Sequence, residues 1–143
     1  MNSDDKKLFK HTTPVEIRFG DIDAMGHVNN ARYFTYFEQG RINFLDSVLG
    51  TNIKYAERGI IVANAHADFK IPVLFRDKIS VLTRVSKIGT KSFELSYSLV
   101  KDENGIRREC ASGFTTMVCF DYREQHSVEI PEEWRMMFIE LLK

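Results

Sequence analysis

Residues 15–41 read VEIRFGDIDAMGHVNNARYFTYFEQGR, and three patterns succeed one another within them. Val15, Ile17 and Phe19 alternate with Glu16 and Arg18, the period-two signature of a strand with one buried face. From about Asn30 the period lengthens: Phe34, Phe37, Phe44 or Leu45, and Val48 recur at intervals of three and four with charged residues between them. That spacing predicts an amphipathic helix ending at Gly50, with Asn29 well typed to cap its start. The joining stretch, Asp21 to Asn30, holds two carboxylates, an imidazole and two side-chain amides.

Outward from this segment the chain turns to strands. Gly59 to Phe69 is extended and mostly apolar, and Pro72 halts it. Ile79, Val81, Thr83 and Val85 alternate with Ser80, Leu82, Arg84 and Ser86. After a turn over Lys87 to Lys91, Phe93, Leu95, Tyr97 and Leu99 alternate with small or charged residues, so the two runs form a hairpin. Asn104 and Gly105 turn the chain into a last strand from about Ile106 to Phe120, and Pro131 opens a short helix around Trp134, Phe138 and Leu141. The predicted class is α+β: a curved, mainly antiparallel five-stranded sheet wrapped around one long central helix, plus a short C-terminal helix. No repeat or linker interrupts the pattern, so residues 1–143 are expected to form a single domain. Long antiparallel edge strands in so small a chain predict dimerisation, with two sheets joined edge to edge.

Composition narrows the function. Of 143 residues, 43% are hydrophobic and eleven are Phe, ample for a packed core. Twenty basic residues balance twenty acidic ones, which leaves no bulk field for nucleic acid or an anionic membrane, so any anion site must be local. No apolar run has the length of a signal peptide core or a membrane helix, and a cytoplasmic protein without membrane insertion is expected. Cys110 and Cys119 lie too far apart along one extended segment to pair with each other, and both read as buried structural thiols.

Turn chemistry alone accounts for Asp21, Gly26 and Asn29, since a strand must give way to a helix here. It does not account for Asp23 and His27. Both precede a helix N-terminus, where unpaired amides point outward and the dipole favours developing negative charge. A carbonyl placed there could be polarised by the Asn30 amide while a carboxylate acts as nucleophile or as base for a water, the parts needed for acyl transfer. Asp21, Asp23 and His27 lack a further ligand at recognisable metal spacing, so neither a metal nor another cofactor is expected. No Gly-x-Ser-x-Gly elbow, nucleophilic Cys context or His-Glu-x-x-His helix supports a competing hydrolase design.

The segment from Val15 to Arg41 resembles the strand, loop and helix signature of the hotdog-fold thioesterases of the 4-hydroxybenzoyl-CoA thioesterase family. That family includes bacterial acyl-CoA thioesterases and, more distantly, plant acyl-carrier-protein thioesterases. The resemblance continues through residues 65–99, AHADFKIPVLFRDKISVLTRVSKIGTKSFELSYSL. It implies an acyl-CoA thioesterase that releases free acid and coenzyme A, with Asp23 as the catalytic carboxylate and the Asn30 amide polarising the thioester carbonyl. In the plant branch an Asn and a His after that Asp take part; here His27 matches the His, and Met25 stands at the place of the Asn. Hotdog dimers often pair further, so the resemblance implies a homodimer or homotetramer; a hotdog dehydratase and a non-catalytic acyl-CoA binding module are the alternative readings.

Coenzyme A carries phosphates, which a neutral protein must meet with a small basic cluster. Arg84, Lys87 and Lys91, with Thr90 and Ser92, surround one hairpin turn and suit that task. The acyl group would then enter between helix and partner subunit, where Tyr33, Phe34 and Phe37 could set its length.

Overall fold

The computed structural model describes residues 8–50 and 58–142. Strand β1 (His11–Val15) leads through a 3-10 turn at Phe19–Asp21 to helix α1 (Asn30–Leu49). Strands β2 (Arg58–Phe69), β3 (Lys78–Ile88), β4 (Ser92–Glu103), β5 (Ile106–Asp121) and β6 (His126–Ser127) follow, and helix α2 (Glu132–Leu142) closes the chain. The sheet runs β1-β3-β4-β5-β2 with every pair antiparallel, and the two-residue β6 adds to β5 beyond the five strands expected.

Strand β1 lies earlier than the alternation of residues 15–19 predicts, ending at Val15, where that pattern begins. Its ladder with β3 ends at Val15 opposite Ile79. Ile17 stays buried, but Arg18 then bends the backbone: its N–H donates to Asp21 Oδ2 at 3.0 Å, and the Asp21 N–H returns to the Arg18 carbonyl at 2.9 Å. Phe19 is thrown outward and is 80% exposed. The period-two pattern holds for Val15 and Ile17, which are buried, and fails at Phe19, because the ladder with β3 has already ended and the backbone turns.

Helix α1 starts and stops where its capping residues dictate. Asn29 is extended (φ −60, ψ 136), and its side chain accepts from the Ala31 amide; Gly50, at φ +83, donates to the Asp46 carbonyl. Tyr33, Tyr36, Phe37, Gly40, Phe44 and Leu45 form the buried stripe. The stripe can approach the sheet closely at two glycines. A Cβ on Gly40 would lie 2.6 Å from Val81 Cγ1, and one on Gly113 would lie 2.4 Å from the His66 carbonyl and 2.7 Å from Phe37 Cε2.

The helix packs mainly on β1 and β3, with less contact to β2. Strand β2 is an edge, and a bulge interrupts it: the register passes from Val62–Met117 to Asn64–Thr116, so Ala63 has no partner. Val62, Ala65 and Phe69 therefore share the helix-facing side, opposite Met117, Thr115 and Ala111, while His66 and Asp68 face outward. Val62, Phe69 and Phe34 of the helix remain exposed, so this flank of the concave face is apolar and is covered by none of the described residues. Helix α2 seals the other end of the core with Phe138 against Phe93, ring centroids 4.6 Å apart. Cys110 and Cys119 are both buried thiols outside any disulfide, and burial pushes the Cys110 thiol up to about 11. Among the described residues no helix is long and apolar enough to cross a membrane.

Gly113→Ala should destabilise the fold by overpacking, by about 1–3 kcal/mol. Urea unfolding followed by circular dichroism measures it; an unchanged midpoint would mean that Phe37 has room to yield.

Candidate functional site

The loop between the 3-10 turn and α1 is held at both ends by the backbone. Asn29 donates to the Asp21 carbonyl at 2.8 Å, and Val28 donates to the Val73 carbonyl at 2.9 Å. Ile22 bridges Val28, and His27 bridges Leu74 in the segment that crosses from β2 to β3. At the tip, Asp23 N–H donates to the His27 carbonyl at 2.8 Å and Gly26 N–H to the Asp23 carbonyl at 3.0 Å. Gly26 closes this turn at φ +85, where a side chain is strained.

The two oxygens of the Asp23 carboxylate have different surroundings. Oδ1 accepts from the Met25 amide at 2.9 Å and the His27 amide at 3.3 Å, a local turn that orients the group. Among the described residues no donor reaches Oδ2. The helix start shows the complementary vacancy. The Ala31 amide is taken by Asn29 Oδ1 and the Arg32 amide by the Asn29 carbonyl, both at 2.9 Å, while the Asn30 amide donates to none of the described residues. Asp23, His27 and Asn30 line one cleft of about 340 Å³, with Tyr33, Phe69 and Lys70 among its other walls. Asp23, with one carboxylate oxygen that no described donor reaches, thus lines the same cleft as Asn30, the first residue at the positive end of a 20-residue helix.

Tyr33 is a buried wall of this cleft, its ring edge-on to Phe69 at 4.9 Å, and burial raises the pKa of its hydroxyl. Phe34 and Phe37 do not line the cleft. The helical turn carries Phe34 onto the uncovered flank, 39% exposed, and Phe37 onto the sheet, where it is 1% exposed and stacks on Tyr97 at 4.9 Å. Phe69, Lys70 and Ile71 are cleft walls that sequence reasoning missed; the sole signal was that Pro72 stops the strand beside them. Lys70 is held there by Glu109, which also accepts from the Ser98 hydroxyl. Burial opposes ionisation of Glu109, but these two partners outweigh it and hold its carboxyl below the usual range.

Lys87, Thr90, Lys91 and Ser92 do surround one turn, between β3 and β4, and it is tied down: the Thr90 carbonyl accepts from the Ile130 amide and from Arg135. Arg84 stands apart on β3, its guanidinium 5.5 Å from the centre of the Phe9 ring. Within one chain the turn does not meet the cleft. The Asp23 loop pairs with residues just before β3, and the turn follows the far end of that 11-residue strand, roughly 30 Å away at about 3.3 Å per residue. Among the described residues no cluster of three or more His, Cys, Asp or Glu is placed to hold a metal ion.

Comparison with known proteins adds an independent line. Residues 17–138 match the sequence model of the thioesterase-like superfamily. The chain is similar to the long-chain acyl-CoA thioesterase FadM of Escherichia coli, 24% identical over 132 residues that cover 92% of this chain and 98% of that protein. In structure it is similar to the PA5185 protein of Pseudomonas aeruginosa, with a TM-score of 0.83 and 30% identity over 94% of this chain and 93% of the other. It is also similar to a thioesterase of Thermus thermophilus solved with coenzyme A and zinc, with a TM-score of 0.81 and 26% identity over 95% and 96% of the two chains.

Gly26→Ala should strain the turn that carries Asp23 and cost about 1–2 kcal/mol, the usual penalty for a side chain in left-handed backbone. Thermal unfolding of the variant against the native chain checks this, and an unchanged Tm would show that the turn can adopt another conformation.

Proposed function

This chain belongs to the thioesterase-like superfamily and is a thioester hydrolase of hotdog fold, and we propose that it cleaves an acyl-CoA to free acid and coenzyme A at the Asp23 cleft. The supporting observation is the pairing of vacancies: Asp23 Oδ2 has no donor and the Asn30 amide no acceptor among the described residues. A thioester carbonyl oxygen set against the Asn30 N–H would be polarised by that bond and by the helix dipole, and the same donor would hold the oxyanion as the carbon becomes tetrahedral. Asp23 Oδ2 then attacks the carbonyl carbon, giving a mixed anhydride that water opens, or takes the proton of an attacking water. Either route expels the coenzyme A thiolate, a good leaving group. His27 lines the same cleft and is suited to orient the water or share a proton with Asp23.

Substrate length calls for a second copy of the chain. Edge strand β2 runs from Arg58, near the Lys87–Lys91 turn, to Phe69, beside Asp23. Antiparallel pairing of two β2 edges about a twofold axis reverses the partner's strand, bringing the basic turn of one copy toward the Asp23 cleft of the other. The acyl group would lie along the apolar flank of Phe34, Val62 and Phe69, and the phosphates would meet Lys87 and Lys91 with Thr90 and Ser92.

Free thiol released from short, medium, long and aromatic acyl-CoAs tests the chemistry. Asp23→Asn should keep the fold and lower turnover at least about a hundredfold, the scale of a lost base or nucleophile; equal rates in the two proteins would remove Asp23 from the reaction. Mixing tests the shared site. Asp23→Asn and a Lys87→Glu/Lys91→Glu chain, each weak alone, should regain activity together, because one site of the mixed dimer has both parts intact. No recovery on mixing, with mixed dimers demonstrated, would place both parts in one chain.

A further inference from the structure

Tyr36 lies on the second turn of α1, outside the Asp23 cleft, and is 1% exposed. Its hydroxyl donates to Asp21 Oδ2 at 2.7 Å. The same oxygen accepts the Arg18 amide at 3.0 Å, and Oδ1 faces Arg32 Nε at 3.6 Å. The backbone carbonyl of Asp21 takes the amide of Asn29, the helix cap. One buried residue therefore bonds the end of the strand segment, the first residue before the helix, the first helical turn and the second. Asp23 is two residues further along the chain, and Asn30 follows Asn29.

We propose that Tyr36 and Asp21 are positioning residues for thioester hydrolysis, a clamp that sets the distance and angle between the Asp23 carboxylate and the Asn30 amide. The proposal rests on the hydrolase mechanism given above. Asp23 belongs to a loop and Asn30 to a rigid helix, so their separation could drift if the two were joined only through residues 24–29. Asp21 supplies the cross-tie. It grips the helix at Asn29, Arg32 and Tyr36, three points spread over two turns, and so resists both sliding and rotation of α1 relative to the loop. Reacting groups must hold their geometry to a fraction of an ångström, and a displacement near 1 Å costs on the order of a hundredfold in rate. Tyr36 does not line the cleft, though its ring lies 6.3 Å from that of the cleft residue Tyr33; Tyr36→Phe keeps that ring contact and removes only the bond to Asp21.

Steady-state thiol release by the full chain, assayed well below the unfolding temperature, tests this. Tyr36→Phe keeps the ring and removes one hydroxyl; kcat should fall about ten- to a hundredfold with KM within about threefold. Thr115→Val serves as the matched control. It removes one hydroxyl from another buried bond, Thr115 with Tyr97 at 2.6 Å, beneath Phe37 and away from the loop. It should lower Tm comparably and leave kcat near native. A cycle with Asp21→Asn should be strongly non-additive, since both changes break one tie. Should Asp21→Asn not fold, Tyr36→Phe against Thr115→Val decides the matter. The proposal is overturned if Tyr36→Phe retains native kcat, or loses no more than the control does. If the native chain hydrolyses none of the thioesters offered, the hydrolase mechanism and the clamp fall together, whereas native turnover with an unaffected Tyr36→Phe removes the clamp alone.

Discussion

Close contact between α1 and the concave face of the sheet rests on Gly40 over Val81 and on Gly113 under Phe37, where a side chain would overlap its neighbours. With the helix seated at that depth, Phe37 can lie flat on Tyr97, and Tyr33 and Tyr36 can reach down beside Phe69 and Asp21. A shallower helix would lose these contacts together, because they are on one rigid rod. The height of the Asn30 amide above the sheet, and hence the depth of the cleft, follows from two positions that carry no side chain.

The site divides its labour among atoms rather than residues. Asp23 spends one carboxylate oxygen on the amides of Met25 and His27, and no donor among the described residues reaches the other. Asn29 caps the helix with its side chain and donates its own amide to Asp21, and the next amide along, that of Asn30, is the one left open. Asp21 and Asp23 differ in the same way. The first is buried, with two donors on one carboxylate oxygen and the Arg32 guanidinium 3.6 Å from the other, and the second is half-buried with no donor on one oxygen among the described residues. Two carboxylates with one residue between them thus take up separate roles because one side chain turns inward and the other toward the cleft.

Much of this was legible in the sequence. The span of α1, its Asn29 cap and its Gly50 end were carried by local chemistry, and so was the Asn104–Gly105 turn, which has φ of +54 and +78. Asp23, His27 and Asn30 could be grouped because they are close along the chain and precede a helix. Long-range features escaped. Phe34 and Phe37 both fit a helical apolar spacing, yet one faces the open flank and the other the sheet, a matter of where the neighbouring strands lie. Phe69 and Lys70 reach the cleft only because the crossing segment pairs with residues 27 and 28. The Lys87–Lys91 turn reads as a local cluster, and its remoteness from Asp23 within the chain is visible only once the strands have direction and length.

The bulge in β2 has a consequence for how that strand can be counted. Residues on either side of Ala63 keep their own partners on β5, with Val62 on Met117 and Asn64 on Thr116. Side chains before and after it are therefore out of phase in the sequence while in phase in space. A ruler of even numbers laid along β2 from Ile60 would assign Asn64 and His66 to the helix side and Ala65 to the outside, the reverse of what the pairing shows. In topological terms Ala63 is a spare link: the ladder closes without it, so the chain can change length by one residue at this point without turning any other residue of the strand over.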